Sequence, residues 1–338
     1  MITVSSYPIA VAMCVITMIC WGSWGNTQKL ASKSWKFQLF YWDYTIGILL
    51  FSLLLAFTAG SFGEGGRSFV DDLSQADSKW LLSALIGGAV FNLSNILLVI
   101  AIDIAGLAVA FPVGIGLALV LGVITTYAAR PEGDPIMLGA GVAFICAAIV
   151  LDALAFRRLG AGGSTAKGIF VSALAGVLMG FFYSFVAESM GKIDMTTGVA
   201  VLESGRLSPY TAMVVFALGI FVSNFVFNTL AMKFPVGGGK SVSYAQYFTD
   251  GSAKLHLVGI LGGSIWCLGT SFSFISANAA GAALAYGLGQ GATMVSALWG
   301  VFVWREFRGA PKGTNKLLAL MFACFVVGLS ILVFSKAA

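Results

Sequence analysis

The sequence predicts an all-α integral membrane protein whose ten transmembrane helices form two inverted five-helix repeats. Composition, the number of apolar runs and an internal repeat each point there. Of the 338 residues, 59% are hydrophobic and 10% charged, and the mean hydropathy is +0.94. Soluble domains carry about 25% charged residues, so a nucleic-acid binder, a disordered chain and a secreted disulfide scaffold are excluded. The five Cys (14, 20, 146, 267, 324) lie inside apolar stretches, without metal-ligand or redox spacing.

Crossing a hydrocarbon core of roughly 30 Å takes about 20 apolar residues. Ten runs qualify, near 7–28, 37–60, 80–102, 106–129, 135–156, 168–190, 208–232, 256–277, 280–304 and 315–335. The first lacks a positive leader and a small-residue cleavage site, so it reads as a retained span. Helices satisfy their own backbone groups in lipid, which makes a helical bundle the expected solution. The expected organisation is a first repeat over 1–156, a short cytoplasmic connection at 157–167 and a second repeat over 168–338.

Lys and Arg divide unevenly between the two ends of the bundle. Thirteen fall in the loops that include 29–36 and 157–167, and six on the side of the termini. The positive-inside rule then places both termini outside the cytoplasm.

Shifted by 175 residues, Gly87–Arg130 aligns without gaps on Gly262–Arg305, and twelve of the 44 positions are identical. Gly87/Gly262, Gly88/Gly263, Gly106/Gly281, Gly114/Gly289, Gly116/Gly291 and Arg130/Arg305 are among them; Phe91/Trp266 and Phe111/Tyr286 are similar pairs. The repeat maps the third and fourth spans onto the eighth and ninth. An odd separation of five spans inverts one half relative to the other, as in transporters that bind solute at the midplane between repeats. Taken singly, each Gly is a packing residue that lets helices approach.

Several stretches resemble the ureide permease family. They are Tyr41-Trp42-Asp43-Tyr44-Thr45, Gly87-Gly88 with Asn95 and Gly106-Leu107, and Gly22-Ser23-Trp24 on the first span. In the second half they are Ala279-Ala280-Gly281, Gln290, Ser296-Ala297-Leu298-Trp299-Gly300 and Glu306-Phe307-Arg308. The resemblance implies the ten-helix fold of the drug/metabolite transporter superfamily and secondary active, proton-coupled uptake of a ureide or nucleobase such as allantoin or uracil. Eukaryotic members carry a long cytosolic insert where this chain has about ten residues, which suggests a bacterial protein of the inner membrane. Trp21-Gly22-Ser23-Trp24 also resembles the glucose/ribose uptake proteins of that superfamily, so a sugar permease is an alternative. A multidrug or metabolite exporter is another, but it calls for an acidic residue at mid-span, and none is evident.

Polar side chains at membrane depth are costly and invite a functional reading. Gln290, and Asn92 and Asn95 at i, i+3, are the mid-span amides; Trp266, Thr270 and Ser273 share one helical face. With Trp24, Tyr183 and Tyr286 these are the candidate solute-binding residues, since amides supply donors and acceptors while aromatic faces cover a flat ring. Asn224 and Asn228 read as interhelical hydrogen bonds. Asp43 and Glu188 are the candidate proton carriers; the plainer reading of Asp43 is an ion pair with Lys29, Lys33 or Lys36. Asp103 and Asp152 are expected as solvated charges at helix ends.

Nothing points to an enzyme. His256 is the lone histidine, no nucleophile set or metal cluster is visible, and neither cofactor nor metal is expected. Gly237-Gly238-Gly239-Lys240-Ser241 lacks the first Gly and the preceding strand of a phosphate loop, and Asn92-Leu93-Ser94 lies inside a span. The expected partners are the bilayer, a small solute and protons, with no nucleic acid.

Overall fold

In the computed structural model the described residues are all but 33, 64, 161–165, 195–199, 236–239 and 337–338, so most of the glycine stretch at 237–239 and the middle of the 157–167 connection lie outside the description. The chain is mostly helical. Its elements are α1 (Tyr7–Ser23), α2 (Gly25–Ala31), α3 (Phe37–Phe57), α4 (Phe69–Gln75), α5 (Ser78–Ala105), α6 (Leu107–Ala129), α7 (Pro135–Arg157) and α8 (Ala166–Ser189). After a two-stranded hairpin, β1 (Ile193–Asp194) and β2 (Val201–Leu202), come α9 (Pro209–Lys233), α10 (Tyr244–Thr249), α11 (Ala253–Ala280), α12 (Ala282–Gly289), α13 (Ala292–Leu298), a π-helical turn (Trp299–Val303) and α14 (Thr314–Phe334).

Nine segments among the described residues are long and apolar enough to cross a membrane. Eight of them lie in single helices, and the ninth is α1 continued by α2, with Trp24 between them still in helical φ/ψ (−57°, −33°). The run expected at 280–304 is in pieces: α12, α13 and the π turn. Its first break is local. Gln290 and Gly291 have ψ of −14° and −5°, and their amides bond three residues back, to Gly287 and Leu288. Three-residue hydrogen bonding tightens a helix over a short stretch. Glycine is required there, because a Cβ on Gly289 would come within 2.6 Å of the Trp21 ring and one on Gly291 within 2.5 Å of the Met18 sulfur.

Helix starts follow from capping chemistry. Asp134 accepts from the amides of Ile136 and Met137 ahead of α7, with Pro135 at its first position. Ser208, Ser243 and Ser252 cap α9, α10 and α11 in the same way. Most of the exposed large apolar side chains, among them Leu50, Leu54, Ile124, Phe225 and Leu261, lie on the long helices. In a membrane protein such side chains face lipid.

Two helix crossings mirror each other. In α3 against α11, a Cβ on Gly263 would lie 2.0 Å from the Tyr44 carbonyl oxygen, and one on Gly47 2.2 Å from that of Ile260. In α5 against α9, the equivalents are Gly88 on Phe216 at 2.1 Å and Gly219 on Leu85 at 2.2 Å. Both α5 and α11 have 28 residues, and they start and stop 175 positions apart. Each ends at a glycine of positive φ, Gly106 at 74° and Gly281 at 94°.

The bundle has two ends. At the termini end the Met1 ammonium donates to the Gly65 carbonyl (2.6 Å), Asp77 N–H to Gly205 (2.8 Å) and Asp134 N–H to Ser335 (2.7 Å). At the opposite end Lys29 pairs with Glu306, Lys36 donates to the Lys240 carbonyl, and Arg158 donates to that of Lys312.

Candidate functional site

A cavity of about 260 Å³ lies between the two crossings. Helical stripes from α1–α2, α5, α6, α8, α11 and the α12–α13 segment build it. Trp21, Trp24, Gly25 and Gln28 come from the junction of α1 and α2; Phe91, Asn95, Leu98 and Ile102 come from α5. Met179 and Phe182 of α8, Trp266 of α11, and Gln290, Thr293 and Ser296 around the α12–α13 break complete it. Repeat-paired positions therefore meet in one chamber: Phe91 stacks on Trp266 (4.6 Å, 30°), and Ile115 faces it with its counterpart Gln290.

The chamber is closed toward the termini by rings. Phe182 and Phe216 pack at 5.7 Å and Tyr183 and Tyr286 at 5.0 Å, with Phe274 and Trp266 filling the gaps. Toward the opposite end it continues into a second cavity of about 280 Å³, with which it shares Gly25, Gln28, Thr293 and Ser296. That vestibule also takes in Lys29, Asp152, Trp304 and Glu306. Arg305, with φ of 53°, reverses the chain beyond the π turn and brings Glu306 back onto Lys29.

Two amides face the chamber in different ways. Asn95, 6% exposed, donates through Nδ2 to the Tyr41 hydroxyl (3.1 Å). Gln290, 7% exposed, lines the chamber and bonds through its side chain to none of the described residues. Its carboxamide opens onto the chamber with a donor and an acceptor left for a solute or for water. Trp24 packs on Tyr44 (4.7 Å), and Trp21 lies nearly parallel to Trp266 (6.3 Å, 12°). Flat apolar faces and amide edges together suit a small, flat, polar solute.

The other expected contacts lie behind the wall. Asn92 donates to Ser223 (2.9 Å), and its carbonyl oxygen is buried without a partner. Thr270 accepts from the Trp21 indole (2.9 Å) and so orients a wall residue. Tyr183 bonds to Ser273 and Tyr286 donates to the Ala118 carbonyl (3.0 Å); both are in the seal. Asn224 and Asn228 cross to α3, donating to Thr45 (3.4 Å) and the Gln38 carbonyl (2.9 Å). Trp21, Gln28, Phe91, Phe182, Thr293 and Ser296 were not anticipated, although 21, 24, 28 and 91, 95, 98, 102 are legible as helical stripes.

The carboxylates differ most from expectation. Asp43 pairs with neither Lys29 nor Lys36, while Lys33 lies outside the described residues. It accepts instead from His256 Nδ1 (2.9 Å) and from the Tyr247 hydroxyl. Burial and the adjacent carboxylate push the Tyr247 phenol up, which keeps it a donor. His256 stands edge-on to Trp35 (5.3 Å). Glu188 is exposed at the termini end, not screened from water; Arg206 donates to its backbone carbonyl, and among the described residues nothing bonds its carboxylate. Asp103 is exposed as expected, but Asp152 is buried (8% exposed) and its Oδ1 has no hydrogen-bond partner. The α7 chain runs one further turn past Asp152, and Asp152 lines the vestibule together with Trp299, Trp304 and Glu306, so that position is not the solvated helix end its sequence context implies.

A multi-pass bundle enclosing a solute-sized chamber of amides and rings fits an integral membrane protein of the transporter class. The family model for ureide permeases matches residues 157–335, and the chain belongs to that family. Ureide permease 1 of Arabidopsis thaliana is 23% identical over 97% of each chain, and ureide permease 2 of the same plant is also 23% identical over 97% of each. Ureide permease 5 is 22% identical over 96% of this chain and 94% of its own. A solved crystal structure superposes with a TM-score of 0.61 at 15% identity, covering 98% of this chain and 99% of the other, and shares the fold.

Proposed function

We propose that the protein is a secondary active transporter that takes up a small nitrogen-rich solute, a ureide or nucleobase such as allantoin or uracil, by alternating access. The observation that carries this is the unpaired Gln290 carboxamide, which faces the same chamber as Asn95 between the walls of Trp24 and Trp266. A ureide or imide edge alternates N–H donors with carbonyl acceptors, and a carboxamide offers the complementary pair. The plant relatives, named as ureide permeases, support the same solute class.

Two inverted five-helix halves are the proposed frame, with 280–304 as a broken tenth span. The 175-residue repeat, the matched glycine crossings and the break at Gln290 support it, since transporter sites form where helices are interrupted between repeats. The Lys and Arg asymmetry supports both termini outside and the vestibule open to the cytoplasm. In a cysteine-free background, an impermeant thiol reagent added to intact cells should label Ser5→Cys and spare Arg158→Cys. The reverse pattern would invert the topology.

Gln290→Ala should weaken solute binding tenfold or more while the protein remains folded. Calorimetry of purified protein against ureides, nucleobases and sugars tests both the residue and the solute class. Wild-type affinity in Gln290→Ala would reduce the residue to packing. Binding of hydroxyl-rich ligands with allantoin and uracil inert would favour the sugar-permease reading, which the chamber's tryptophans also accommodate. Proton coupling, with Asp43 the expected carrier, requires uptake into proteoliposomes to follow an imposed pH gradient. Equal accumulation with and without the gradient would remove it.

A further inference from the structure

We propose that Asp152 is a second proton-exchanging carboxyl, stationed in the vestibule through which solute reaches the chamber. The proposal rests on the transporter reading and adds a site to it. Asp152 sits on α7 one turn before the helix ends at Arg157, where a charge would ordinarily reach water. Here it is buried and lines one cavity with Trp299, Trp304 and Glu306; its Oδ1 is shut off from solvent, and no side chain or backbone amide among the described residues donates to either oxygen.

An ionised carboxylate removed from water without a partner is far more costly than a hydrogen-bonded one; such groups are paired, bind a cation or hold a proton. The charged side chains that line the vestibule with it are Lys29 and Glu306. Lys29 is committed to Glu306 and lies 4.5 Å over the Trp304 ring, so it does not serve Asp152. The remaining charged neighbour is therefore an acid. Asp43 is a contrasting case, since His256 and Tyr247 both bond its carboxylate.

Position links this carboxyl to the solute. The vestibule and the chamber share Gly25, Gln28, Thr293 and Ser296, so a solute passing between the opposite end and Gln290 traverses Asp152's cavity. In the neutral form the carboxyl can donate a hydrogen bond to a solute carbonyl. After losing its proton to the water of the open vestibule it has acceptors only. The carried proton and the passing solute thus compete for, or share, one hydrogen-bonding site.

Apolar carbodiimides modify carboxyls that are protonated in apolar surroundings, which gives a readout independent of transport. Purified full-length protein treated with dicyclohexylcarbodiimide should be labelled at Asp152, as located by peptide mass spectrometry. Labelling should fall at least tenfold from acid to alkaline pH and be indifferent to sodium. No adduct at Asp152, an adduct insensitive to pH, or protection by sodium at fixed pH would overturn the proposal, the last by making this a cation site. In proteoliposomes, Asp152→Asn should lose accumulation driven by a pH gradient and retain exchange of solute between the two sides. Gradient-driven accumulation at the wild-type level in Asp152→Asn would also overturn it. If the wild-type protein moved no ureide or nucleobase, the transporter reading would fail while the labelling result stood on its own.

Discussion

Alanine at Gly263 will destabilise the bundle sharply, by at least the ~1–3 kcal/mol typical of an overpacked core. Its Cβ would sit 2.0 Å from the Tyr44 carbonyl oxygen and 2.9 Å from the Ile48 amide nitrogen, and both neighbours are backbone. No rotamer change relieves that contact, so α3 and α11 must separate along their crossing. Lipid supplies no hydrophobic force to hold them together again, because association of membrane helices depends on close packing. Gly88→Ala should behave alike, with its Cβ 2.1 Å from the Phe216 oxygen at the mirrored crossing of α5 and α9. Gly116→Ala is the control, since a Cβ there meets nothing within 4 Å. Melting of detergent-purified protein should fall by many degrees for the first two variants and hardly move for the third. Solute affinity should drop in Gly263→Ala as well, because Tyr44 supports Trp24 from below. A wild-type melting curve for Gly263→Ala would mean that the two helices do not cross as closely as the structure has them.

Those crossings show what the sequence discloses and what it hides. Glycine pairs in register across 175 residues mark α5 and α11 as equivalent, and both do end at a positive-φ glycine. The companion equivalence, α3 with α9 at a shift of 172, leaves Gly47/Gly219 as its main sign, too little to stand out in an apolar chain. Among the described residues nine of the ten expected runs are helices long and apolar enough to span a membrane, while 280–304 is broken at Gln290. Composition detects an apolar run, but a tightened turn depends on which side chains press on Gly289 and Gly291. Within the site, Gln290, Asn95, Trp24 and Trp266 were legible because a polar or aromatic group in mid-span has few dull explanations. Asn92, Thr270, Tyr183 and Tyr286 carry the same chemistry but point one helical step away, into the wall and the seal. The pairing of Asp43 with His256 joins residues 213 positions apart, and the cavity that Asp152 lines takes its other residues from segments distant in the chain, such as Lys29 and Glu306. Neither contact leaves a trace in local sequence.

Asp72→Ala should cost about 3 kcal/mol or slightly more, at the lower edge of the ~3–5 kcal/mol seen when one partner of a buried ion pair is removed. Asp72 is fully buried at the termini end. Its Oδ1 accepts from Arg67 Nε (3.0 Å), and its Oδ2 accepts from the Ser208 amide (2.7 Å), one of the free N–H groups that open α9. The Arg67 guanidinium also donates to the carbonyls of Leu202, Glu203 and Arg206, fastening the segment before α4 to the one before α9. Without the carboxylate, Arg67 keeps those three acceptors and some water, which is why the cost sits low in the range. The Ser208 amide loses its partner outright. Asp72→Asn retains a carbonyl for one donor and should lose less, so the expected order of melting temperatures is wild type, Asp72→Asn, Asp72→Ala. The network also fastens the end of the bundle that the Phe182, Phe216 and Tyr286 rings close. If solute moves by alternating access, that fastening must release in the other state, and weakening it favours release. Hydrogen exchange should therefore quicken in 66–77 and 201–208 of Asp72→Asn before the rest of the molecule loosens. Equal protection of those segments in wild type and Asp72→Asn would show that the network plays no part in holding this end closed.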